Sequence, residues 1–363
     1  MWLDYFATYL RETFPQFLRE KPWNYKDDLC VVGAYDLYGA TGEARWLEPI
    51  RASAPFLMDD AGHVTGWQPG EHNLDKVSFG KSLRILGQLT GEARYARGVQ
   101  AAFRMLADYP RTVTGNFWHK DIYPHQVWLD GLYMAMPFYA ACLDEYGADG
   151  WDDILDQFAS AHRLLWDEAK GLYRHANDCS RQAGWADPAT GQSPAVWLRA
   201  EGWFLMALAD TYELARAHTP RAGELAALLQ NAVEGLLPYR DKATGLFLQV
   251  VDLPGLPGNY PETSGSAMAA YALMKGARLE MLPPACGQTG SDILDGIRTA
   301  YLAPSGGRTL CGICASAGLG PGPDHRTDRT GTPGYYIREK QMADNQHGAA
   351  ACMMAVSEQL RRK

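Results

Sequence analysis

The phrase Tyr38-Gly-Ala-Thr41-Gly-Glu-Ala-Arg-Trp46 returns as Leu89-Thr90-Gly-Glu-Ala-Arg-Tyr95. In both places a helix ends, Thr-Gly turns the chain, and a second helix starts. Asp167-Glu-Ala-Lys-Gly-Leu-Tyr-Arg-His175 and Asp241-Lys-Ala-Thr-Gly-Leu-Phe-Leu-Gln249 form a second, looser pair. A copied helical hairpin cannot bury its apolar face alone, so the copies stack along a line or close around an axis. Helical periodicity predicts helices at Met1–Leu18, Asp28–Gly39, Ala44–Ala54, Leu74–Leu89, Ala93–Asp108 and Leu129–Tyr146. It predicts six more at Trp151–Leu165, Leu198–Ala217, Gly223–Pro238, Ser264–Glu280, Ser291–Tyr301 and Asn345–Arg361. No clear capping repeat marks an open solenoid. The expected fold is therefore all-α, an (α/α)6 barrel of six hairpins that takes residues 1–363 as one domain. Strand signals are limited to short aromatic pieces at Asn116–His119, Leu172–His175 and Leu246–Val250.

Alternate helices differ in a way that assigns them to two rings. The even-numbered ones begin beside polar clusters: Asp27-Asp28, Asn73-Leu-Asp75, Trp128-Leu-Asp130, Trp197-Leu-Arg199-Ala-Glu201, Glu262-Thr-Ser264 and Asp344-Asn-Gln-His347. Each cluster is followed closely by a glycine, which permits close approach of a helix or a ligand. The odd-numbered helices carry more charge, so they form the outer ring. All inner N-termini then share one rim, where aligned dipoles and free N–H groups favour an anionic ligand. The long irregular stretches Pro55–Asn73, Arg111–Val127, Ala176–Val196 and Pro304–Ala343 crown that rim. Loops of this length in a compact domain are usually functional. Gly318–Asp324 is either a lid or a surface excursion.

Composition narrows the partners. The formal net charge is -8 and no basic run occurs, so nucleic acid is not expected. No stretch reaches the roughly 18 apolar residues of a membrane span. The N-terminus is broken by Asp4, Arg11 and Glu12, so no signal peptide is expected. Seven cysteines, an odd number, fit reduced thiols in the cytoplasm. Cys311 and Cys314 stand as a lone pair, so no metal site and no cofactor is expected.

Two carboxylates on neighbouring inner helices, Asp75 and Asp130, stand out at the expected rim. Paired acids in unlike surroundings are the usual equipment for cleaving glycosidic bonds. Trp128 can supply an apolar wall that helps Asp130 keep a proton, and a charged Asp75 nearby would act in the same direction. Lys120 and Arg199, with His119 and His175, can bind a sugar carboxylate. Arg199 at a helix start opposes the dipole, which points to a functional rather than a structural placement.

Phe117-Trp-His-Lys-Asp-Ile-Tyr-Pro-His-Gln-Val-Trp-Leu-Asp130-Gly-Leu-Tyr-Met134, His72-Asn-Leu-Asp75, Trp197-Leu-Arg-Ala-Glu-Gly-Trp203 and Glu262-Thr-Ser-Gly-Ser-Ala-Met268 resemble the signatures of glycoside hydrolase family 105. The likeness runs from about Trp23 to Glu358. It implies an (α/α)6 barrel, no metal, and an unsaturated rhamnogalacturonyl hydrolase, which takes a small anionic oligosaccharide. Such an enzyme removes a Δ4,5-unsaturated galacturonyl residue from the non-reducing end of lyase-cut pectin fragments by hydrating its vinyl ether. By the resemblance Asp130 is the general acid and base and Asp75 its partner acid. His119, Lys120, Trp128, His175, Arg199 and Trp203 then line the sugar site, with Trp197 of the same motif and Tyr25 of Trp23-Asn-Tyr25. The run His175-Ala-Asn-Asp178 lacks the aromatic residue common there, and Glu280 stands where glycine is commoner, which bears on subsite preference. An unsaturated glucuronyl hydrolase for glycosaminoglycan or ulvan fragments is the nearest alternative. A non-catalytic oligosaccharide-binding barrel or a sugar isomerase is the alternative of another class.

Overall fold

Six inner helices form a closed ring, each packed on the next. They are Tyr25–Thr41, Phe79–Thr90 with the short Leu74–Val77 turn before it, Leu129–Tyr146, Leu198–Ala215, Thr263–Arg278 and Gln346–Arg361. The last of these packs on the first and completes the circle. The computed structural model describes residues 1–68, 70–322 and 324–362. Pro69 and Pro323, which fall in two of the expected crown loops, and Lys363 at the end of the expected domain lie outside the described residues.

The outer ring holds Leu47–Leu57, Ala93–Met105, Trp151–Leu165, Gly223–Leu236 and Pro284–Ile297. Its first member is the N-terminal stretch, Trp2–Thr8 leading through a π-helical turn, Tyr9–Thr13, into Phe14–Glu20. The inner helices are buried on nearly every side, as at Leu198–Ala209. A ring this tight needs small residues at its contacts. A Cβ at Gly265 would lie 2.5 Å from Leu198 Cγ. One at Gly131 would lie 2.8 Å from Leu74 Cδ1 and 3.1 Å from His119 Nδ1. Glycine there lets the Asp75 turn and the Asp130 helix start side by side.

The inner N-termini meet at one rim, as expected. Tyr25 Oη lies 3.0 Å from His347 Nε2, and Gln346 donates to Asp27 across the same seam. Four of these helix starts are capped by their own side chains: Asn24, Asn73, Glu262 and Asn345 accept backbone N–H bonds. Trp128 and Trp197 cap nothing. Their helices take support from neighbouring loops, through Leu129 N–H to His175 O (3.2 Å) and Leu198 N–H to Gln249 O (3.1 Å).

Two differences from the sequence reading have local causes. The helix expected from Ser291 begins at Pro284, because proline is well suited to a first helical turn while Gly287 and Gly290 dilute the periodic signal. Of the aromatic pieces, only Leu172–His175 contains a strand, Leu172–Tyr173, paired with Trp166–Asp167. Asn116–His119 and Leu246–Val250 make single bridges between rim loops, such as Phe117 with Arg111 and Val250 with Trp197. The other true ladder, Gln126–Trp128 against Ala176–Asp178, was not expected and brings Trp128 opposite Ala176.

Candidate active site

That ladder builds the site. It ties the chain just before Asp130 to the chain just after His175. His175 Nε2 then lies 3.0 Å from Asp130 Oδ2. The approach is off the line of the ring N–H, so neither atom counts as satisfied by an aligned hydrogen bond. His175 Nδ1 is 2.7 Å from Tyr336 Oη. His175 is fully buried, whereas the Asp130 side chain keeps 15% exposure. Burial pushes the Asp130 carboxyl up, but the pairing with His175 and the field of His119 outweigh it, and the net shift is below the ordinary carboxylate range.

Asp75 sits on the adjoining turn. Lys120 Nζ is 2.5 Å from its Oδ2, and His119 Nε2 is 3.9 Å from its Oδ1. Leu74 N–H donates to His119 O (3.1 Å), which pins the aromatic segment to the start of the Asp75 turn. Lys120 neutralises Asp75, so the expected like-charge push from Asp75 on Asp130 is not what governs Asp130. The proximity of His175 does. Burial and the Lys120 charge hold the His119 imidazole down at about 4, against the pull of Asp75 and Asp130. Its ring is neutral near pH 7 and stacks on Trp128 at 4.5 Å.

Arg199 closes the opposite side. It is 1% exposed and donates through Nη2 to Cys314 O. Its Nε and Nη1 have no partner among the described residues. The guanidinium lies 5.1 Å from the Trp197 ring. Tyr25 feels the charges of Asp75, Asp130 and Arg199. Trp203 is buried one turn deeper, stacked on Tyr133 at 4.9 Å and edge-on to Tyr25 at 6.5 Å. The ten singled-out residues therefore gather at one mouth: Asp130 and His175 on one wall, Asp75, His119 and Lys120 beside them, Trp128 and Trp197 flanking, and Tyr25, Arg199 and Trp203 across and below. Of the four groups expected to bind a carboxylate, His175 and Lys120 face protein carboxylates instead. Arg199 keeps free donors.

The loop that crowns the rim contributes more than expected. Leu319 is fully buried in a cluster with Tyr123, Trp128, Ala176 and Trp185. Gly318 N–H donates to Tyr335 Oη (2.9 Å). The described part of Gly318–Asp324 is thus packed onto the Trp128 wall at Leu319. Tyr336 and His347 escaped assignment in the sequence. His347 lies between Asn345 Oδ1 (2.9 Å) and Tyr25 Oη (3.0 Å), and burial and the charge of Arg199 hold its ring neutral. The one available signal for Tyr336 was Thr332-Pro333, a helix start that opens the short Pro333–Arg338 helix.

Among the described residues, no group of three or more His, Cys, Asp or Glu is placed to hold a metal ion. Among the described residues, no helix is long and apolar enough to cross a membrane.

Comparison with known proteins bears on the family and the fold. The profile of the family described as Glycosyl Hydrolase Family 88 matches residues 3–363. A solved glycoside hydrolase of family 105 from Clostridium acetobutylicum (C. acetobutylicum ATCC 824) superposes with a TM-score of 0.91 at 34% identity, covering 99% of this chain and 100% of that one. A 24.9 kDa protein of the picA locus in Rhizobium radiobacter is 40% identical over 218 residues, 58% of this chain and 90% of that protein. The unsaturated glucuronyl hydrolase of Bacillus sp. GL1, described as responsible for the degradation of glycosaminoglycan, shares the fold at a TM-score of 0.69 and 14% identity. That alignment covers 98% of this chain and 96% of the other.

Proposed function

Because the chain belongs to the glycoside hydrolases of families 88 and 105, we propose that it removes the Δ4,5-unsaturated galacturonyl residue from the non-reducing end of lyase-generated rhamnogalacturonan oligosaccharides. The observation that carries this reading is the pairing of a largely buried acid, Asp130 against His175, with a buried cation, Arg199, whose Nε and Nη1 have no partner among the described residues. An unsaturated uronate has both features to match: a vinyl ether that must be protonated and a carboxylate that needs a fork of N–H donors.

Asp130, carrying a proton, gives it to C4 of the vinyl ether. The π electrons form the new C4–H bond and positive charge develops at C5. Water adds at C5 and returns a proton to the Asp130 carboxylate, which restores the acid. The resulting hemiketal opens and releases the leaving sugar with its hydroxyl. Asp75, held by Lys120, orients a sugar hydroxyl, and Tyr25, Trp197 and Trp203 shape the slot. The chain acts as one catalytic unit, residues 1–363, and its seven unpaired thiols fit a reducing cytoplasm.

The test is loss of the ultraviolet absorbance of the conjugated uronate on incubation with lyase-digested rhamnogalacturonan. Loss on digested glycosaminoglycan or ulvan alone would replace galacturonyl by glucuronyl specificity. Binding with no loss on any digest would sink the hydrolase reading.

A further inference from the structure

The structure leaves one question about the acid unanswered by its own neighbourhood. Asp130 must hold a proton when it meets the vinyl ether, yet its environment favours the carboxylate. The missing proton has a source within reach. His175 Nε2 is 3.0 Å from Asp130 Oδ2, and its other nitrogen is 2.7 Å from the Tyr336 hydroxyl. Tyr336 is fully buried, stacks on Trp197 at 5.6 Å, and its backbone carbonyl accepts from Gln249 Nε2 (3.2 Å). Gln249 Oε1 in turn accepts from Trp197 Nε1 (3.2 Å). The hydroxyl therefore has little freedom to leave His175.

We infer that Tyr336 is a positioning residue that holds the His175 ring with an Nε2–H toward Asp130 before transfer, so that the Asp130–His175 pair carries the proton that reaches C4. The inference rests on the assignment of Asp130 as proton donor. A phenol bonded to Nδ1 has two arrangements. Against a neutral ring that carries its proton on Nε2, it donates to Nδ1. Against an imidazolium its oxygen accepts from Nδ1–H, and Nε2 carries a proton again. In both cases an N–H faces Asp130. Burial keeps the Tyr336 phenol protonated, because its own ionisation is pushed well above the ordinary range. Before substrate binds, the transferable proton of the pair is on Nε2. When a sugar covers the mouth and water leaves, a charge pair in a drier site costs more, and the neutral form gains. The Nε2–H bond then breaks and the Oδ2–H bond forms, giving protonated Asp130 and a neutral His175 whose remaining proton is on Nδ1, where the Tyr336 oxygen accepts it. The acid next delivers that proton to C4. The attacking water restores it at the end, so the cycle closes with no outside reactant. The titratable groups facing the pair are His119, Tyr25 and Tyr336, and Tyr336 also faces Tyr335, Cys314 and Glu339.

The test is Tyr336→Phe in the full chain. Removing one buried hydrogen bond to His175 should lower kcat by about tenfold with KM within about twofold. The alkaline limb of the kcat/KM profile should move to lower pH, because the protonated pair loses the oxygen that accepts from Nδ1–H. Nitrogen-15 spectra of the free protein should report Nε2–H at His175 in the native chain and a tautomer mixture in the variant. An unchanged limb and an unchanged tautomer would overturn the inference, even with kcat reduced. The spectra need no substrate, so they separate this failure from failure of the hydrolase reading, which Asp130→Asn tests directly.

Discussion

The two ends of the inner ring treat buried charge in opposite ways. At the base, where the inner helices end, a buried network of described side chains pairs its charges. Lys275 lies between Asp210 (2.8 Å) and Glu213 (2.7 Å), while Arg278 grips Glu358 through Nε (2.7 Å) and Nη2 (2.9 Å) and reaches Glu213 through Nη1 (3.1 Å). Arg361 adds a further bond to Glu358 (2.7 Å). These cations sit at helix C-termini, where the dipole favours them. At the rim the same kinds of groups are left short: Arg199 runs against its helix dipole with two nitrogens unpaired, and Asp130 and His175 meet without an aligned bond. Unmet polarity inside a protein is costly. The base spends its charges on holding the ring closed, and the rim reserves them for a ligand.

The contrast breaks first at Asp130. Asp130→Asn removes the proton donor but keeps shape and polarity, so turnover should fall by about a thousandfold or more while the melting temperature holds. A variant within tenfold of the native rate would mean that the rim carries no acid at this position. The mirror experiment is Glu358→Gln at the base. Glu358 is fully buried under two arginines, so the variant should lose about 3 kcal/mol of stability, read by denaturant unfolding. Its kcat and KM should stay native. A kinetic effect with no loss of stability would erase the division between the two ends.

Much of this division could be read from the residues alone, and the physical reasons are specific. The Thr-Gly hairpin phrases repeat because each copy makes the same turn, so the ring was legible. Asp75 and Asp130 open adjacent inner helices, so their meeting followed from topology. What governs Asp130 was not legible, because His175 comes from a hairpin far along the chain and is delivered by a three-residue ladder too short to show periodicity. Tyr336 and Leu319 lie in a Gly- and Pro-rich stretch with no repeating pattern, and only packing against Trp197 and Trp128 places them. Lys120 on Asp75 was invisible for the same reason: an irregular segment predicts no direction for its side chains.

A smaller effect sharpens the comparison at Arg199. Lysine keeps the charge but loses the planar fork, so Arg199→Lys should raise KM about tenfold and leave kcat within a few-fold. The base variant should show no such rise. Equal KM in native and Arg199→Lys proteins would remove Arg199 from substrate binding and leave its unpaired nitrogens without a purpose.

Glu201 tests where the boundary between the ends falls. It stands two residues beyond Arg199, fully buried, with one oxygen accepting from Tyr173 N–H (2.5 Å) and the other without a partner among the described residues. Burial pushes its carboxyl up to about 8, against the Tyr173 bond and with help from the Asp252 charge. An acid raised in the folded state binds its proton more tightly there than in the unfolded chain. Stability is therefore full below the unfolded value of about 4.3, falls as pH rises, and levels off above the folded value. Glu201→Gln keeps an oxygen for Tyr173 and has nothing to ionise. The native chain should lose on the order of 1 kcal/mol more than the variant between pH 5 and 8, once relaxation around the charge is allowed for. Thermal melts of both proteins across that window measure it. Parallel curves would mean that Glu201 is solvated or paired in solution, and the unmet polarity of the rim would then stop at Arg199.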